Sequence, residues 1–113
     1  MIDEGDVRKA FDTAGFRNTH DLKRTSEFES RANDIVYVNK DRLQNNCICV
    51  YVEETLHVPA MTGLRPIGRR FSSNLRQFPS RLHNGKTPCH YGLAIVVDSL
   101  SCLDNFLNSV FRR

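Results

Sequence analysis

The sequence predicts an α+β fold in which a small, mainly antiparallel sheet packs against an N-terminal and a C-terminal helix. Apolar residues recur at helical spacing near both ends of the chain, and two runs of β-branched and aromatic residues lie between them. The connection between these runs is too short for a crossover helix, which favours antiparallel pairing. A length of 113 residues is typical of one domain, so we expect residues 1–113 to share a single core.

The first helix is predicted over residues 4–14, with Asp3 as its N-cap and Gly15 at its end. Its apolar residues share one face at the i, i+3, i+4, i+7 spacing: Val7, Ala10, Phe11 and Ala14. Residues 16–34 are polar and carry charges of both signs. Within them, the alternation Glu27-Phe28-Glu29 would suit a short edge strand.

Two strands are predicted over residues 35–38 and 47–52, because both runs are rich in β-branched and aromatic residues and are too short for buried helices. The polar residues 39–46 form the expected hairpin connection. Both faces of the second strand are apolar, so we expect it to be central. The N-terminal helix should cover one of its faces and the C-terminal segment the other.

A third strand is predicted over residues 93–97, and Ser99 is a suitable N-cap for the closing helix. The apolar stripe of that helix consists of Leu100, Leu103, Phe106, Leu107, Val110 and Phe111. Residues 59–90 contain all four prolines, and we expect them to be irregular. A functional loop would most naturally lie there.

Charge is distributed unevenly along the chain. Residues 1–56 contain 8 Lys/Arg and 11 Asp/Glu, whereas residues 57–113 contain 8 and 2. This asymmetry points to an acidic partner for the second half, although the folded surface could also be evenly charged.

The candidate binding site is the basic stretch of the second half, in which aromatic residues lie between cationic ones. Guanidinium groups suit carboxylates or phosphates, and neighbouring aromatic rings can anchor a protein interface or stack on bases. The predicted binding residues are Arg65, Arg69, Arg70, Phe71, Arg76, Phe78, Arg81, Lys86, His90 and Tyr91. The alternative is a solvated loop whose arginines serve only solubility.

Metal and cofactor sites find little support. Cys47, Cys49, Cys89, His83 and His90 are suitable zinc ligands, but side chains two apart on a strand are about 6.6 Å apart, too far for two thiolates on one zinc ion. Glycine-rich phosphate-binding motifs do not occur in the sequence. We therefore predict no metal and no cofactor.

Enzymatic chemistry is also weakly supported. Cys89 and His90 are adjacent, so on an extended segment they should point to opposite faces, and His57 or His83 could act as a base only through folding. A metal-dependent nuclease would need converging carboxylates. The candidates flank the two hairpin strands: Asp34, Asp41, Glu53 and Glu54.

The location is predicted to be cytoplasmic. Four cysteines in a chain of this size are fewer than a secreted disulfide scaffold would contain, so we expect reduced thiols. No apolar run approaches the roughly 20 residues of a membrane span. The acidic N-terminus also differs from a signal peptide, so no membrane association is expected.

The chain resembles the YgaC-like family of small bacterial proteins. The matching features, in chain order, are Ala14-Gly15-Phe16, Val36-Tyr37-Val38-Asn39, Phe78-Pro79, Gly85, His90-Tyr91-Gly92 and a final helix that begins after a serine and contains Phe106-Leu107. The resemblance implies an α+β fold and a bacterial cytoplasmic origin. It implies no activity and no catalytic residue.

The leading hypothesis is a non-enzymatic bacterial protein that recognises another protein with an acidic surface, in the concrete form of a toxin-neutralising immunity protein. A nucleic-acid-binding domain that uses the arginines of residues 65–86 is the alternative, although the isoelectric point of 8.8 is below the range typical of such domains. A small hydrolase or nuclease is the third hypothesis.

Overall fold

Two helices pack side by side on one face of a mainly antiparallel sheet, which confirms the predicted α+β fold class. The computed structural model describes residues 2–82, 85 and 87–111, and within them the sheet has seven strands. The helices are α1 (Glu4–Thr13), α2 (Lys40–Leu43) and α3 (Leu100–Val110). The strands are β1 (Phe16–Asp21), β2 (Thr25–Ser30), β3 (Ile35–Asn39), β4 (Ile48–Val52), β5 (Leu64–Phe71), β6 (Ser80–Leu82) and β7 (Pro88–Val97).

The strand order is β1-β2-β3-β4-β7-β5, and β6 pairs with the N-terminal end of β7. Each of these described pairs is antiparallel. β4 lies inside the sheet, between β3 and β7, which confirms its predicted central position. In the described part of the chain, no helix is long and apolar enough to cross a membrane.

The helix boundaries follow from local capping. The Asp3 side chain accepts a hydrogen bond from the Gly5 amide at 2.7 Å, and the Ser99 hydroxyl accepts one from the Cys102 amide at 3.1 Å. Gly15 follows α1 with a φ of 88°, a conformation that glycine adopts at little cost. Both predicted N-caps are therefore confirmed, and the first helix ends at Thr13, one residue earlier than predicted.

The main core lies between the sheet and the pair α1 and α3. Phe11 of α1 stacks on Phe28 of β2 with ring centroids 4.1 Å apart, and Phe16 meets Phe111 edge-on at 5.4 Å. The prediction that the C-terminal segment covers the opposite face of the sheet is therefore wrong. A helix is about 10 Å wide and strands are about 4.8 Å apart, so two helices side by side are needed to cover one face of this sheet.

The opposite face is covered by residues 72–79, which we call the covering segment. Leu75 and Phe78 are buried there against Tyr37, and Ile35 and Tyr51 pack around them. The Phe78 ring lies directly over Gly92, where a Cβ atom would be 2.9 Å from the ring. A side chain at position 92 would thus displace Phe78.

The polar and proline-containing regions contain more strands than the sequence predicted. Residues 16–34 form β1 and β2, and the stretch around Phe28 belongs to an inner strand rather than an edge. Residues 59–90 contain β5, β6 and the start of β7, so the expectation of irregular structure there is wrong. Pro66 is tolerated because β5 is an edge strand, and a register shift between Pro66 and Gly68 absorbs the extra residue.

Candidate functional site

The predicted binding residues converge in part on a short three-stranded extension of the sheet. β4 pairs with residues 93–97 of β7 and β5 pairs with residues 91–97, whereas residues 88–90 pair with β6. We call this extension the arm; it comprises residues 68–71, 80–82 and 88–92. Because Phe71 lies opposite Tyr91, and Arg81 opposite Cys89, strand alternation brings one set of side chains to a common face.

That face of the arm carries both cationic and aromatic groups. The Arg69 guanidinium carbon lies 4.8 Å from the centroid of the Tyr91 ring, and the Phe71 ring lies 5.8 Å from it. Arg69 and Arg81 are exposed, while the two rings are half-buried. We call Arg69, Phe71, Arg81 and Tyr91, together with Glu54, the arm surface.

Glu54 extends to the arm from the connection between β4 and β5. Arg69 donates two hydrogen bonds to the Glu54 carboxylate, from Nε to Oε2 at 2.6 Å and from Nη2 to Oε1. The pKa of Glu54 lies below its ordinary value because Arg69 hydrogen-bonds to the carboxylate, and the charge of Arg81 acts in the same direction. Glu54 therefore carries a negative charge at neutral pH and is paired with Arg69.

The remaining predicted arginines lie elsewhere. Arg65, at the far end of β5, pairs with Asp98 at 3.3 Å. Arg70 points to the other face of the sheet, towards Cys49, and donates to the carbonyl of Arg69 at 2.9 Å. Lys86, also a predicted binding residue, lies outside the described residues.

Arg76, Phe78 and His90 hold the covering segment on the sheet. Arg76 donates to both carboxylate oxygens of Glu27, at 3.1 and 2.9 Å. Phe78 is buried in an edge-on contact with Tyr37, with ring centroids 5.0 Å apart. His90 Nδ1 lies 2.8 Å from the Phe78 carbonyl oxygen. These three residues have internal contacts that explain their positions.

Some of the groups proposed for enzymatic chemistry line one groove, and the others lie elsewhere. Asp34 and Glu53 line one open groove together with His57, while Asp41 lies in α2 and Glu54 belongs to the arm surface. Cys89 and His90 alternate along β7 and point to opposite faces. Among the described residues, no three His, Cys, Asp or Glu side chains are grouped to hold a metal ion. His83 lies outside the described residues.

The thiols at the start of β4 lie on the face of the sheet that the covering segment occupies. Cys49 is buried, and burial raises the pKa of its thiol. Cys47 is half-buried, and the Arg42 side chain hydrogen-bonds to it. A buried neutral thiol of this kind acts as a small apolar group rather than as a nucleophile.

Glu54 is the member of the arm surface that the binding-site prediction lacked. The sequence places it beside Glu53 after a strand, which suggested metal chemistry rather than an arginine contact. Its partner is 15 positions away on another strand, so only the β4–β7–β5 pairing brings the two together.

Comparison with known proteins assigns neither a family nor a function to the chain. No protein-family model matches the chain, and no curated protein is significantly similar to it in sequence. The resemblance to the YgaC-like family therefore remains a prediction based on short motifs.

Proposed function

We propose that this chain is a non-enzymatic domain that binds another protein, and that the arm surface contacts an acidic region of that protein. The observation that supports the proposal is the Arg69 guanidinium stacked on Tyr91 beside Phe71, in a partly exposed position. Arginine and aromatic side chains are enriched at the centres of protein interfaces, where they contribute most of the binding energy.

The same geometry favours a protein over a nucleic acid. Carboxylates lie within hydrogen-bonding distance of two of the arginines, Glu54 at Arg69 and Asp98 at Arg65, so these arginines add little to the net positive charge on which binding of a phosphate backbone depends. Arg69 also covers one face of the Tyr91 ring, which leaves less of the ring for base stacking. Nucleic-acid binding is therefore the alternative that the experiment below must exclude.

The test is site-specific photocrosslinking of the full-length protein in cells, with the photoreactive amino acid at position 71, followed by identification of the crosslinked protein. Binding of the purified partner is then measured at physiological salt. We expect Tyr91→Ala and Arg69→Ala each to weaken binding at least about tenfold.

Arg17→Ala is the matched control for Arg69→Ala. Arg17 is an exposed arginine that also pairs with a glutamate, Glu29, but on the opposite edge of the sheet. Its substitution should leave binding unchanged. Equal losses in the two variants, or a crosslinked partner that does not bind as a purified protein, would overturn the proposal. Binding of DNA or RNA that weakens steeply with salt and depends on Arg69 would replace it with the alternative.

A toxin-neutralising immunity protein is the concrete form of this proposal. An acidic region on a toxin would complement the arm surface. Co-expression with the product of the adjacent gene tests this form, because it predicts that the product is toxic alone and harmless with the wild-type chain. Protection that persists in the Arg69→Ala, Tyr91→Ala double variant would contradict a role for the arm surface.

A further inference from the structure

We propose that Glu54 occupies the position that a carboxylate of the partner takes on binding, so that it competes with the partner for Arg69. This inference rests on the proposed function, and it specifies the chemistry of the partner as a segment with at least two acidic residues beside an apolar one. The argument depends on how Arg69 and Glu54 are each held.

Arg69 is held in place independently of Glu54. Its backbone belongs to β5, where it pairs with Leu93 of β7, and its guanidinium stacks on the Tyr91 ring. A guanidinium fixed in this way presents two parallel N–H groups in a plane, which matches the two oxygens of a carboxylate. Glu54 shows that a carboxylate fits this position, since it receives two hydrogen bonds from Arg69.

Glu54 itself is held less firmly. It lies in the connection between β4 and β5, where residues 53–63 form turns and irregular structure. A backbone hydrogen bond from the Leu56 amide to the Glu53 carbonyl, at 2.9 Å, closes the turn. The side chains of Glu54 and Arg69 are 35% and 36% exposed, so water screens their pairing and replacement of one carboxylate by another requires little rearrangement.

The surroundings of the pair indicate what the partner contains. Arg81 lies opposite Cys89, two residues from Tyr91, so it belongs to the same face of the arm as Arg69, and its charge also acts on Glu54. Departure of Glu54 would leave two cations for the partner, which two acidic residues would neutralise. The Phe71 ring lies 5.8 Å from the Tyr91 ring and is tilted by 47° against it, and these two rings offer an apolar contact beside the cations.

The test uses a fluorescein-labelled peptide of four glutamates and one leucine, with a peptide of four glutamines and one leucine as the control ligand. Binding to the full-length protein is followed by fluorescence anisotropy at low salt. We expect Glu54→Gln to bind the acidic peptide about three to ten times more tightly than the wild type, because the internal competitor has been removed. Arg69→Gln should bind it at least tenfold more weakly.

Two further variants separate competition from a general charge effect. Glu29→Gln removes the same charge from a second arginine–glutamate pair, Arg17 with Glu29, and should change affinity less than twofold. In the Arg69→Gln background, Glu54→Gln should have a much smaller effect than in the wild type, since the two residues act at one position.

Several outcomes would overturn the inference. One is unchanged or weaker peptide binding by Glu54→Gln, which would show that Glu54 orients Arg69 rather than competing for it. Another is equal binding of the acidic and glutamine peptides. A third is a larger gain for single-stranded DNA than for the peptide. If a crosslinked partner needs Tyr91 but is insensitive to Glu54→Gln, the proposed function stands and this inference fails.

Discussion

The hydroxyl of Tyr37 donates a hydrogen bond to the buried carboxylate of Glu27 across 2.7 Å. The Thr19 hydroxyl donates to the same carboxylate at 2.8 Å, and the backbone amide of Gln77 donates to the Tyr37 hydroxyl oxygen at 3.0 Å. With Arg76 as the cationic partner, these bonds join β1, β2 and β3 to the covering segment. Burial of a carboxylate is unfavourable unless it is paired and hydrogen-bonded, and here both conditions are met.

Removal of this charge should destabilise the fold. We expect Glu27→Gln to lower the free energy of unfolding by about 2–3 kcal/mol, because the amide places a donor among donors and leaves one of them unsatisfied. Urea denaturation followed by circular dichroism measures the change. Glu29→Gln, at a more exposed arginine pair, should cost less than about 1 kcal/mol. Equal costs in both variants would contradict a special role for the buried network.

The same carboxylate should make stability depend on acid pH. Burial raises the pKa of Glu27, but hydrogen bonds from Arg76, Tyr37 and Thr19 outweigh it, so the folded pKa lies below the ordinary value of 4.5. The stabilisation is therefore complete above that value and is lost as the pH falls through the folded pKa.

The measurement is the free energy of unfolding of wild type and Glu27→Gln between about pH 6 and pH 2.5. Their difference should shrink as the pH falls, because the wild type loses the charge that the variant lacks. Asp21, whose pKa is also lowered, is present in both proteins and cancels from the difference. A difference that does not vary with pH would contradict the assigned ionisation.

The contrast between capping and this network shows what the sequence can predict here. Asp3 and Ser99 each bond to an amide two or three residues away, so a local pattern suffices to find them. Glu27 and Arg76 are 49 positions apart, and the charge on Glu27 made its strand look like an exposed edge. Only the docking of the covering segment makes that position an interior one.

The same limit applies to the candidate site, where the sequence indicates the residue types but not their contacts. The sequence identified the residue types of the arm, since arginines and aromatic residues alternate along residues 65–81. It could not separate Arg69, which is exposed on the arm, from Arg76, which fixes the covering segment. Both lie in a similar sequence context, and their roles differ because one faces Glu54 and the other the buried Glu27.

The covering segment should open locally when its apolar contact is removed. Leu75 is fully buried, so Leu75→Ala should cost about 2–4 kcal/mol. Hydrogen exchange should accelerate at the amides of residues 72–78 and at Tyr91, whose amide donates to the Pro79 carbonyl, while α1 and α3 remain protected. Leu82→Ala is the control, because Leu82 is 63% exposed and its loss should matter little. Uniform acceleration throughout the protein would show that the segment does not open separately.

The thiols of Cys47, which precedes β4, and Cys49, which lies in it, should differ in reactivity. Cys49 is 1% exposed and burial raises the pKa of its thiol, so it should react with iodoacetamide only through opening of the fold. Cys47 is half-buried and should react faster by at least about tenfold under native conditions. Mass spectrometry of the labelled peptides measures both rates, and guanidinium-unfolded protein supplies the reference in which they should be similar. Equal native rates would mean that the covering face is open to solvent.

Gly63, which directly precedes β5, lies close to α3, and Gly15 has a similar φ but open space around it. Gly63 and Gly15 have φ values of 82° and 88°, so alanine at either position should cost about 1–2 kcal/mol in backbone strain. A Cβ atom at Gly63 would also overlap the sulfur of Cys102, whereas one at Gly15 has no atom within 4 Å.

We therefore expect Gly63→Ala to lower the free energy of unfolding by about 1–3 kcal/mol more than Gly15→Ala, since overpacking adds to the strain. Urea denaturation of both variants measures this difference. Cys102→Ala should recover part of it in the Gly63→Ala background, because the overlapping sulfur is removed, and should not help Gly15→Ala. Equal costs for the two glycines would show that α3 can move away from residue 63 without a loss of stability. Cys102 would then not set the distance between α3 and residue 63.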